Sequence, residues 1–384
     1  MRNSIKSLFF LAFFYLLLVS NSAYSQVNFQ SDAPYAVLMD FQTGDILYQK
    51  NADVKIGPSS MTKVLTSYIV FDYIKKGRIS LDDTFAVSAN ARSMEGSRMF
   101  IEQGSNVRLE DLLRGIIIQS GNDATTCVAE GLSGSEEAFA EEMNLYAQKL
   151  GMKNSNFKNS NGLPHPEHFA SVKDLAILAR SLITNFPEYY HYYSETEFTY
   201  NKIKQMNRNV LLYRPNLGAD GLKTGHTASA GYGIISSAIQ KGRRVIAVVN
   251  GLKTMRDRIT SAEKLLWYGF NQFQNLRLYN QDEVIDTAKV WGGKVKELPL
   301  SSNVPVDILL KKSEKFRTNY KLEAQYKQPL TAPITKGDKI GNLVLYADGS
   351  KVKEWPLFAS SDIEEASFFE KISEKLSYFL GKIL

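Results

Sequence analysis

Sheet-like patterns at both ends of a helical stretch constrain the fold of this chain more than any other feature. Residues 35–50 alternate apolar and polar side chains on both sides of a Thr-Gly turn, which predicts a β-hairpin. Residues 219–252 contain β-branched runs separated by glycines, which predicts neighbouring strands. Because strands from both ends enclose the helical stretch, we predict one α+β domain over residues 30–277.

Apolar side chains recur at helical spacing in the stretch between these strands. The first predicted helix begins at Ser60, shortly after Pro58, and ends near Tyr73. A Ser-Gly-Asn break separates the next two predicted helices. The remaining predicted helices cover residues 109–119, 123–132, 171–183 and 260–273.

The character of the sequence changes after about residue 284. Short alternating runs and an Asp-Gly turn predict a small all-β domain over residues 284–358. The tail, residues 362–384, is predicted to form an amphipathic helix. Its apolar stripe lies within residues 366–384 and consists of Phe368, Phe369, Ile372, Leu376, Phe379, Leu380 and Ile383.

The N-terminus has the composition of a secretory leader. Two basic residues precede an apolar run at 8–19, and small residues follow at positions 23 and 25. The run of about 12 residues is short for a membrane span. We therefore predict that residues 1–25 are a cleaved signal peptide and that the protein is exported, with an uncleaved anchor as the alternative.

The charge balance argues against a nucleic-acid-binding protein. The formal net charge is +6, and loss of Arg2 and Lys6 with the leader leaves 44 basic against 40 acidic residues, or +4. The sequence has no basic stripe with interleaved aromatic residues. We therefore expect no nucleic-acid partner.

The cysteine and histidine residues do not suggest a metal centre or a cofactor. Cys127 is the single cysteine and lies in a predicted helix with no nearby base, so we expect a buried small hydrophobic residue. The four histidines, His165, His168, His191 and His226, are scattered along the chain. We expect no zinc site and no cofactor.

Three short strings carry the chemistry of the sequence: Ser-Met-Thr-Lys at 60–63, Ser-Gly-Asn at 120–122 and Lys-Thr-Gly at 223–225. The first is weak evidence alone, because Ser-x-x-Lys recurs three times elsewhere. Their order is specific: a helix start, a loop between buried helices and a strand. Serine acyl-transferases that react with penicillin require this order of elements.

The residue types suit nucleophilic catalysis. Ser60 needs a base, and a spacing of three on a helix brings Lys63 within reach of its hydroxyl. Lys63 can act as that base only if its pKa is lowered, and burial with Lys223 nearby would lower it. We expect Ser120 to pass a proton to the departing amine and Asn122 to orient the substrate amide and Lys63.

The predicted strand at 219–227 is expected to hold the substrate. The backbone N–H groups of Ser60 and His226 would form an oxyanion hole, with no role for the His226 side chain. We expect Gly225 to let the substrate backbone approach the strand edge, where a side chain would collide with it. The substrate would then add to the sheet as an extra strand.

These motifs and their flanking sequences resemble the D-alanyl-D-alanine carboxypeptidases, low-molecular-mass penicillin-binding proteins of the type-5 kind. The resemblance covers nearly the whole chain. It implies a penicillin-recognising transpeptidase-like fold, a small β-domain and a tail helix. It also implies removal of the terminal D-alanine from peptidoglycan stem pentapeptides, acylation by β-lactam antibiotics and a part in peptidoglycan maturation and cell shape. Nucleophile, base, proton relay and strand motif match Ser60, Lys63, Ser120, Asn122, Lys223, Thr224 and Gly225.

The resemblance also suggests how the substrate and the membrane are held. Arg208 and Arg256 fall where the family has arginines near the strand motif, and a guanidinium suits the C-terminal carboxylate of the substrate. In the family the tail lies on the outer face of the inner membrane. This implies a periplasmic location here, with attachment through residues 366–384 by apolar burial. A tail that packs on its own protein or forms an oligomer is the alternative.

Three other functions share part of this pattern. A class A β-lactamase has the same motifs and uses a glutamate for deacylation; Glu197 and Asn201 have a suitable spacing but fall late in the chain. An endopeptidase that cuts cross-links would use the same residues. A catalytically silent wall-binding scaffold should lack a motif residue, and none is missing here.

Overall fold

The computed structural model describes residues 29–313 and 318–372. The first nine strands are β1 Tyr35–Asp40, β2 Ile46–Lys50, β3 Thr84–Ala86, β4 Asn106–Arg108, β5 Glu197–Tyr200, β6 Ile203–Met206, β7 Ala219–Thr227, β8 Gly231–Gln240 and β9 Arg243–Leu252. The α-helices are α1 Lys63–Lys75, α2 Ala89–Ser93, α3 Leu109–Arg114, α4 Asn122–Ser133, α5 Glu136–Leu150, α6 Val172–Asn185 and α7 Met255–Gln272. Short 3₁₀ turns cover Ser59–Thr62, Tyr190–Ser194 and Val210–Tyr213.

An antiparallel five-stranded sheet, in the order β2-β1-β9-β8-β7, organises the first region. The N-terminal strand β1 pairs with the late strand β9, with Val37 opposite Val248. The prediction that strands from both ends join around the helices is therefore confirmed. Strand β7, which carries Lys-Thr-Gly, lies at the edge of this sheet and pairs with β8 alone.

The helices of this region pack around a large apolar core. Helices α6 and α7 contact β9, and helix α1 contains a run of buried residues from Lys63 to Phe71. The predicted helix at 60–73 begins instead with a 3₁₀ turn, so regular α-helix starts only at Lys63. The predicted helix at 109–119 is α3 followed by a π-helical turn, Gly115–Gln119, whose residues are all buried.

The second region is all β, as predicted. Its strands are β10 Phe273–Tyr279, β11 Val284–Trp291, β12 Glu297–Ser301, β13 Val306–Lys311, β14 Tyr320–Tyr326, β15 Leu330–Thr331, β16 Lys339–Ala347 and β17 Ser350–Ala359. They form a six-stranded sheet, β14-β16-β17-β12-β11-β15, and a β10-β13 pair. Asp348 and Gly349 have φ of 49° and 80° in the β16–β17 turn, which is the backbone that an Asp-Gly hairpin turn requires.

Polar contacts join the two regions. Lys353 on β17 places its Nζ 3.2 Å from an Asp45 carboxylate oxygen. Asn275 on β10 donates from Nδ2 to Asp40 Oδ1 at 3.0 Å. Arg243, on the first-region sheet, contacts Asp40 and donates to the Phe273 carbonyl at the start of the second region. The β-domain is thus anchored to the sheet by side chains near the β1–β2 turn.

Both chain termini extend beyond the described residues. Residues 368–372, at the end of the described part, are helical, and Phe368 and Phe369 there are 72% and 81% exposed. The rest of the predicted tail helix and the predicted leader, residues 1–25, lie outside the described part. Within 29–313 and 318–372, no helix is both long and apolar enough to cross a bilayer.

Candidate active site

Ser60 lies in the turn Ser59–Thr62, directly before helix α1. Ser59 has a φ of 51°, in the left-handed region, which reverses the chain just before Ser60. Helix α1 then starts at Lys63, and its ammonium Nζ donates to Ser60 Oγ at 3.1 Å. The predicted contact between the two side chains is therefore present in the structure.

Lys63 has two further acceptors. Its Nζ donates to Asn122 Oδ1 at 2.7 Å and to the backbone carbonyl of Asn161 at 2.6 Å. The lysine side chain is fully buried. Three acceptors thus fix the ammonium nitrogen beside Ser60. The Asn161 carbonyl was not predicted, since a backbone oxygen in a loop leaves no residue signature.

The environment of Lys63 lowers its pKa from 10.5 to about 7. Burial is the largest cause and the positive charge of Arg208 adds to it, whereas Glu136 and Asp123 act in the opposite direction. Burial is the cause expected from the sequence, and the expected neighbour Lys223 does interact with Lys63, whereas the contribution of Arg208 was not expected. At neutral pH a substantial fraction of Lys63 is therefore the free amine, which can accept a proton.

Burial also lowers the pKa of Lys223 well below its ordinary value, and Lys63, Arg208 and Arg258 lower it further. Lys223 is 2% exposed. Because repulsion between neighbouring ammonium groups is mutual, each lysine makes it harder for the other to hold its proton. The site therefore has an excess of positive charge that an anion would relieve.

Ser120 and Asn122 lie where a π-helical turn meets helix α4. Ser120 is 1% exposed and has a φ of 61°, which turns the chain between the two helices. Asn122 donates from Nδ2 to the Glu95 carbonyl at 2.6 Å, while its Oδ1 accepts from Lys63. The amide of Asn122 is therefore fixed in orientation, with its oxygen toward the lysine.

Asp123 holds the loop that contains Met99 and Phe100 through hydrogen bonds to its backbone. Its carboxylate accepts from the backbone N–H groups of Met99 and Phe100, each at 2.8 Å. The same loop supplies the Glu95 carbonyl to Asn122. Sequence reasoning did not select Asp123, although an acidic residue in the first turn of a buried helix is a signal for such anchoring.

Gly225 is needed for contact between the sheet and the turn that carries Ser60. A Cβ at this position would lie 2.9 Å from the Pro58 carbonyl oxygen and 3.2 Å from the Ser59 Cβ. The expected role of Gly225 was to let a substrate backbone approach the strand edge. The structure shows that a side chain would first collide with the protein itself, so the glycine lets β7 approach the nucleophile turn.

The residues next to Gly225 line the same edge. Thr224 is buried, whereas His226 is exposed and its ring lies 3.9 Å from the Tyr232 ring on β8. The His226 side chain thus packs against its cross-strand neighbour, with the two rings tilted by 30°. This arrangement suits the expectation that only its backbone takes part in chemistry.

The two predicted arginines lie in different places. Arg208 is exposed at the rim, where its guanidinium donates to Ser97 Oγ, and it acts electrostatically on both lysines. Arg256 is exposed and lines a separate cleft with Asp32 and Lys264. The structure therefore brings Arg208 to the cluster and does not bring Arg256 there.

Arg258 lies beside Lys223 instead. It is 4% exposed, its guanidinium is 5.6 Å from the centre of the Tyr232 ring, and its charge lowers the pKa of Lys223. Residues two apart on a helix point in different directions, so Arg256 and Arg258 cannot both face the site. The spacing of apolar residues along the helix could have identified Arg258, because Arg258 lies on the same helix face as the buried Ala262 and Leu265.

His168 is buried and contacts the turn that carries Ser60 through Thr62. Its Nδ1 accepts from the Lys158 N–H at 3.1 Å, and its Nε2 is 2.9 Å from Thr62 Oγ1. Burial lowers the pKa of His168 to about 4, so the ring is neutral at pH 7. The neutral ring then donates from Nε2 to the Thr62 hydroxyl, which holds the turn that carries the nucleophile.

The structure does not favour the class A β-lactamase alternative that was based on Glu197 and Asn201. Glu197 lies on the β5–β6 hairpin, where it is exposed and pairs with Lys204 at 2.8 Å. Asn201, in the turn of the same hairpin, donates to the Phe100 carbonyl. Neither residue is among those that contact Ser60 or Lys63.

Sequence and structure comparisons agree with this arrangement. Residues 21–254 match the family described as D-alanyl-D-alanine carboxypeptidase, and residues 273–365 match the C-terminal domain of penicillin-binding protein 5. The chain is 39% identical over 348 residues to the D-alanyl-D-alanine carboxypeptidase DacC of Escherichia coli, covering 89% of this chain and 86% of that protein. It is 39% identical over 343 residues to DacF of Bacillus subtilis, covering 88% and 87%.

A solved structure extends the match to the fold. The crystal structure of penicillin binding protein 5 from Haemophilus influenzae superposes with a TM-score of 0.82 at 37% identity, covering 88% of this chain and 98% of that chain. A match over 88% of this chain includes parts of both the helical and sheet region and the β-domain. The chain therefore belongs to the D-alanyl-D-alanine carboxypeptidase family and has the penicillin-binding protein fold with its C-terminal β-domain.

Proposed function

We propose that this protein is a serine D-alanyl-D-alanine carboxypeptidase with Ser60 as nucleophile and Lys63 as general base. The observation that carries the proposal is the buried Lys63 ammonium, 3.1 Å from Ser60 Oγ, with a pKa lowered to about 7. A lysine that is partly neutral at pH 7 can take the hydroxyl proton as the nucleophile attacks. The substrate is a peptidoglycan stem peptide that ends in D-alanyl-D-alanine.

The charged groups around Lys223 hold the C-terminal carboxylate of the substrate. Lys223, Arg208 and Arg258 form an excess of positive charge, and Thr224 follows Lys223 on strand β7. The carboxylate relieves the repulsion among these cations. With this end fixed, the peptide runs antiparallel to the edge strand and brings its last amide bond to Ser60.

Acylation then forms one bond and breaks another. Neutral Lys63 accepts the proton from Ser60 Oγ, and Oγ attacks the carbonyl carbon of the penultimate D-alanine. The N–H groups of Ser60 and His226 stabilise the oxyanion. When the C–N bond breaks, the proton held by Lys63 passes through Ser120 to the departing amine, and the terminal D-alanine leaves.

Deacylation repeats these steps with water. Lys63, neutral again, takes a proton from a water molecule whose oxygen attacks the carbonyl carbon of the ester. When the bond from this carbon to Ser60 Oγ breaks, Lys63 returns the proton to Oγ, and the released peptide is one residue shorter than the substrate. Asn122 keeps Lys63 and the substrate amide aligned in both halves of the reaction. A β-lactam contains the same kind of amide inside a ring, so its leaving group stays attached after attack and obstructs the water.

The two chain ends support an exported location with attachment to the membrane. The predicted leader directs export, and the apolar tail holds the protein on the outer face of the inner membrane. The described start of the tail is consistent with this proposal, because Phe368 and Phe369 are largely exposed at its first turn. Fractionation of cells that express the full chain and a chain ending at residue 365 tests the attachment.

The test of the chemistry is to mix the mature protein with benzylpenicillin and record its intact mass, and to measure D-alanine release from a pentapeptide. We expect a covalent adduct and D-alanine release with the wild type and neither with Ser60→Ala. Ser350→Ala is the matched control, because Ser350 begins another Ser-x-x-Lys string in an exposed β-hairpin. An adduct on Ser60→Ala would contradict the proposal.

A further inference from the structure

A cleft of about 720 Å³ adjoins the nucleophile turn on the side away from Lys223. Three segments form its walls: residues 55–59, residues 162–169 and residues 227–230. Strand β7 runs from Lys223 toward Thr227, so the cleft lies at the C-terminal end of this strand. A peptide that lies antiparallel to β7, with its carboxylate near Lys223, extends its upstream residues toward this cleft.

The walls of the cleft are fixed to one another. Ile56 and Ala170 exchange two backbone hydrogen bonds of 2.9 Å each, and Ser59 Oγ donates to Thr227 Oγ1 at 3.3 Å. A Cβ on Gly162 would lie 1.9 Å from the Ser59 carbonyl oxygen, so the second wall touches the nucleophile turn directly. The walls of the cleft are therefore held in place by contacts with one another and with the turn that carries Ser60.

The chemistry of the lining favours a long side chain that ends in an anion. Leu163, Pro164 and Pro166 give an apolar wall, while none of the lining residues in the described chain is Asp or Glu. Lys55 is the lysine in the lining, and its Nζ lies 4.5 Å from the centre of the Phe169 ring. Contact with the ring face limits where the ammonium group can lie.

We propose that this cleft binds the stem-peptide residue next to the reacting D-alanine and that Lys55 selects a carboxylate on the side chain of that residue. The inference rests on the proposed function, because it takes the peptide direction from the carboxylate site at Lys223. Apolar contact with Leu163 and the prolines holds the methylene chain, and Lys55 pairs with the terminal carboxylate. Lys55 is exposed, so its contribution is modest and sensitive to salt.

A matched pair of peptides tests this selection. Both have the sequence acetyl-lysyl-D-alanyl-D-alanine, with the ε-amine either acetylated, which leaves it neutral, or succinylated, which adds a carboxylate. We expect the wild type to favour the succinylated peptide about fivefold in kcat/KM, the size of an exposed ion pair. In Lys55→Gln this ratio should fall to about one, and Lys55→Arg should retain it.

Two controls separate the inference from a general loss of function. Lys241→Gln removes an exposed lysine in the turn at the opposite end of the same sheet and should keep the wild-type ratio. High salt should lower the wild-type ratio and leave that of Lys55→Gln unchanged. A wild-type ratio near one, or a fivefold ratio that persists in Lys55→Gln, would overturn the proposal.

Binding to the Ser60→Ala variant gives the same comparison without hydrolysis. The ratio of the dissociation constants of the two peptides, measured by calorimetry with and without Lys55→Gln, should show the same fivefold preference and its loss. If neither peptide is hydrolysed and no penicillin adduct forms, the proposed function fails. The binding ratio still decides whether Lys55 recognises a carboxylate.

Discussion

The two regions of this protein differ most in what they bury. The helical and sheet region buries Lys63, Lys223, Arg258 and Asp123 around one serine. The β-domain has a core of apolar side chains, and among the described residues 273–372 its single buried charged residue is Asp307, which pairs with Arg277 at 2.6 Å. Burial of an ammonium group costs free energy unless its surroundings compensate.

This difference indicates which buried groups serve catalysis and which serve stability. A buried lysine without a carboxylate partner is a poor way to stabilise a core, but it is a good way to make a base that is neutral at pH 7. In the β-domain, where no catalytic base is required, the core is formed by apolar side chains. The comparison predicts that changes in the first region affect rate strongly, whereas changes at the junction with the β-domain affect only stability.

The largest effect is expected for Lys63→Arg. A guanidinium keeps its proton at any pH that the folded protein tolerates, so it cannot act as the base. We expect the rate of acylation by benzylpenicillin to fall about 10³-fold, within the usual range for loss of a general base. Stopped-flow or quenched mass measurements give this rate. A variant that acylates within tenfold of the wild type would remove Lys63 from that role.

The pH dependence of acylation should report the same group. Since Lys63 has a pKa of about 7, it gains its proton as the pH falls through 7 and then cannot act as the base. We expect kcat/KM to decrease about tenfold per pH unit below this value and to level off above it. The profile should be measured with a penicillin and with a peptide. A profile that stays flat between pH 5 and 8 would contradict the assignment.

The cost of the buried charge can be measured through Lys63→Met. The folded pKa of Lys63 lies below its ordinary value of 10.5, so the penalty of burying the ammonium is full below about pH 7 and is relieved as the pH rises toward 10.5. The wild type should therefore gain stability relative to Lys63→Met by up to about 1.4 kcal/mol per pH unit in this window. Urea unfolding at pH 7 and 9 measures it, and a constant difference would contradict the predicted linkage.

A smaller effect is expected for Arg258→Gln. This change removes one of the cations near Lys223 and should lower kcat/KM for a peptide with a free C-terminal carboxylate about tenfold to thirtyfold. The same peptide as a C-terminal amide should lose much less. Arg256→Gln is the matched control, since Arg256 lines a separate cleft. Equal losses for both variants would show that Arg258 does not recognise the carboxylate.

Local patterns in the sequence were enough to predict the sheet and the β-domain. Alternation and turn residues are properties of a few neighbouring positions, so the hairpin at 35–50, strand β7 and the Asp-Gly turn were predicted as they occur. The contact of Lys63 with Ser60 was likewise predictable from a spacing of three.

The remainder of the site depends on packing between distant segments. The Asn161 carbonyl reaches Lys63 across 98 positions of the chain, and the role of Gly225 depends on the Pro58 carbonyl. The 3₁₀ start at Ser59 is likewise set by the strand that packs on it. Arg258, in contrast, could have been predicted from the sequence. It lies on the apolar face of helix α7, whereas Arg256 does not.

The smallest effect is expected at the junction between the regions. Lys353 is one quarter exposed and its Nζ lies 3.2 Å from Asp45, whose carboxylate is more exposed still. Such a pair contributes about 0.5 kcal/mol, because solvent screens the attraction and two side chains must be ordered. Lys353→Gln should therefore lower the free energy of unfolding by about that amount and leave penicillin acylation unchanged. A tenfold loss of acylation would show that the β-domain influences the active site, and the division between a reactive region and a supporting one would then be wrong.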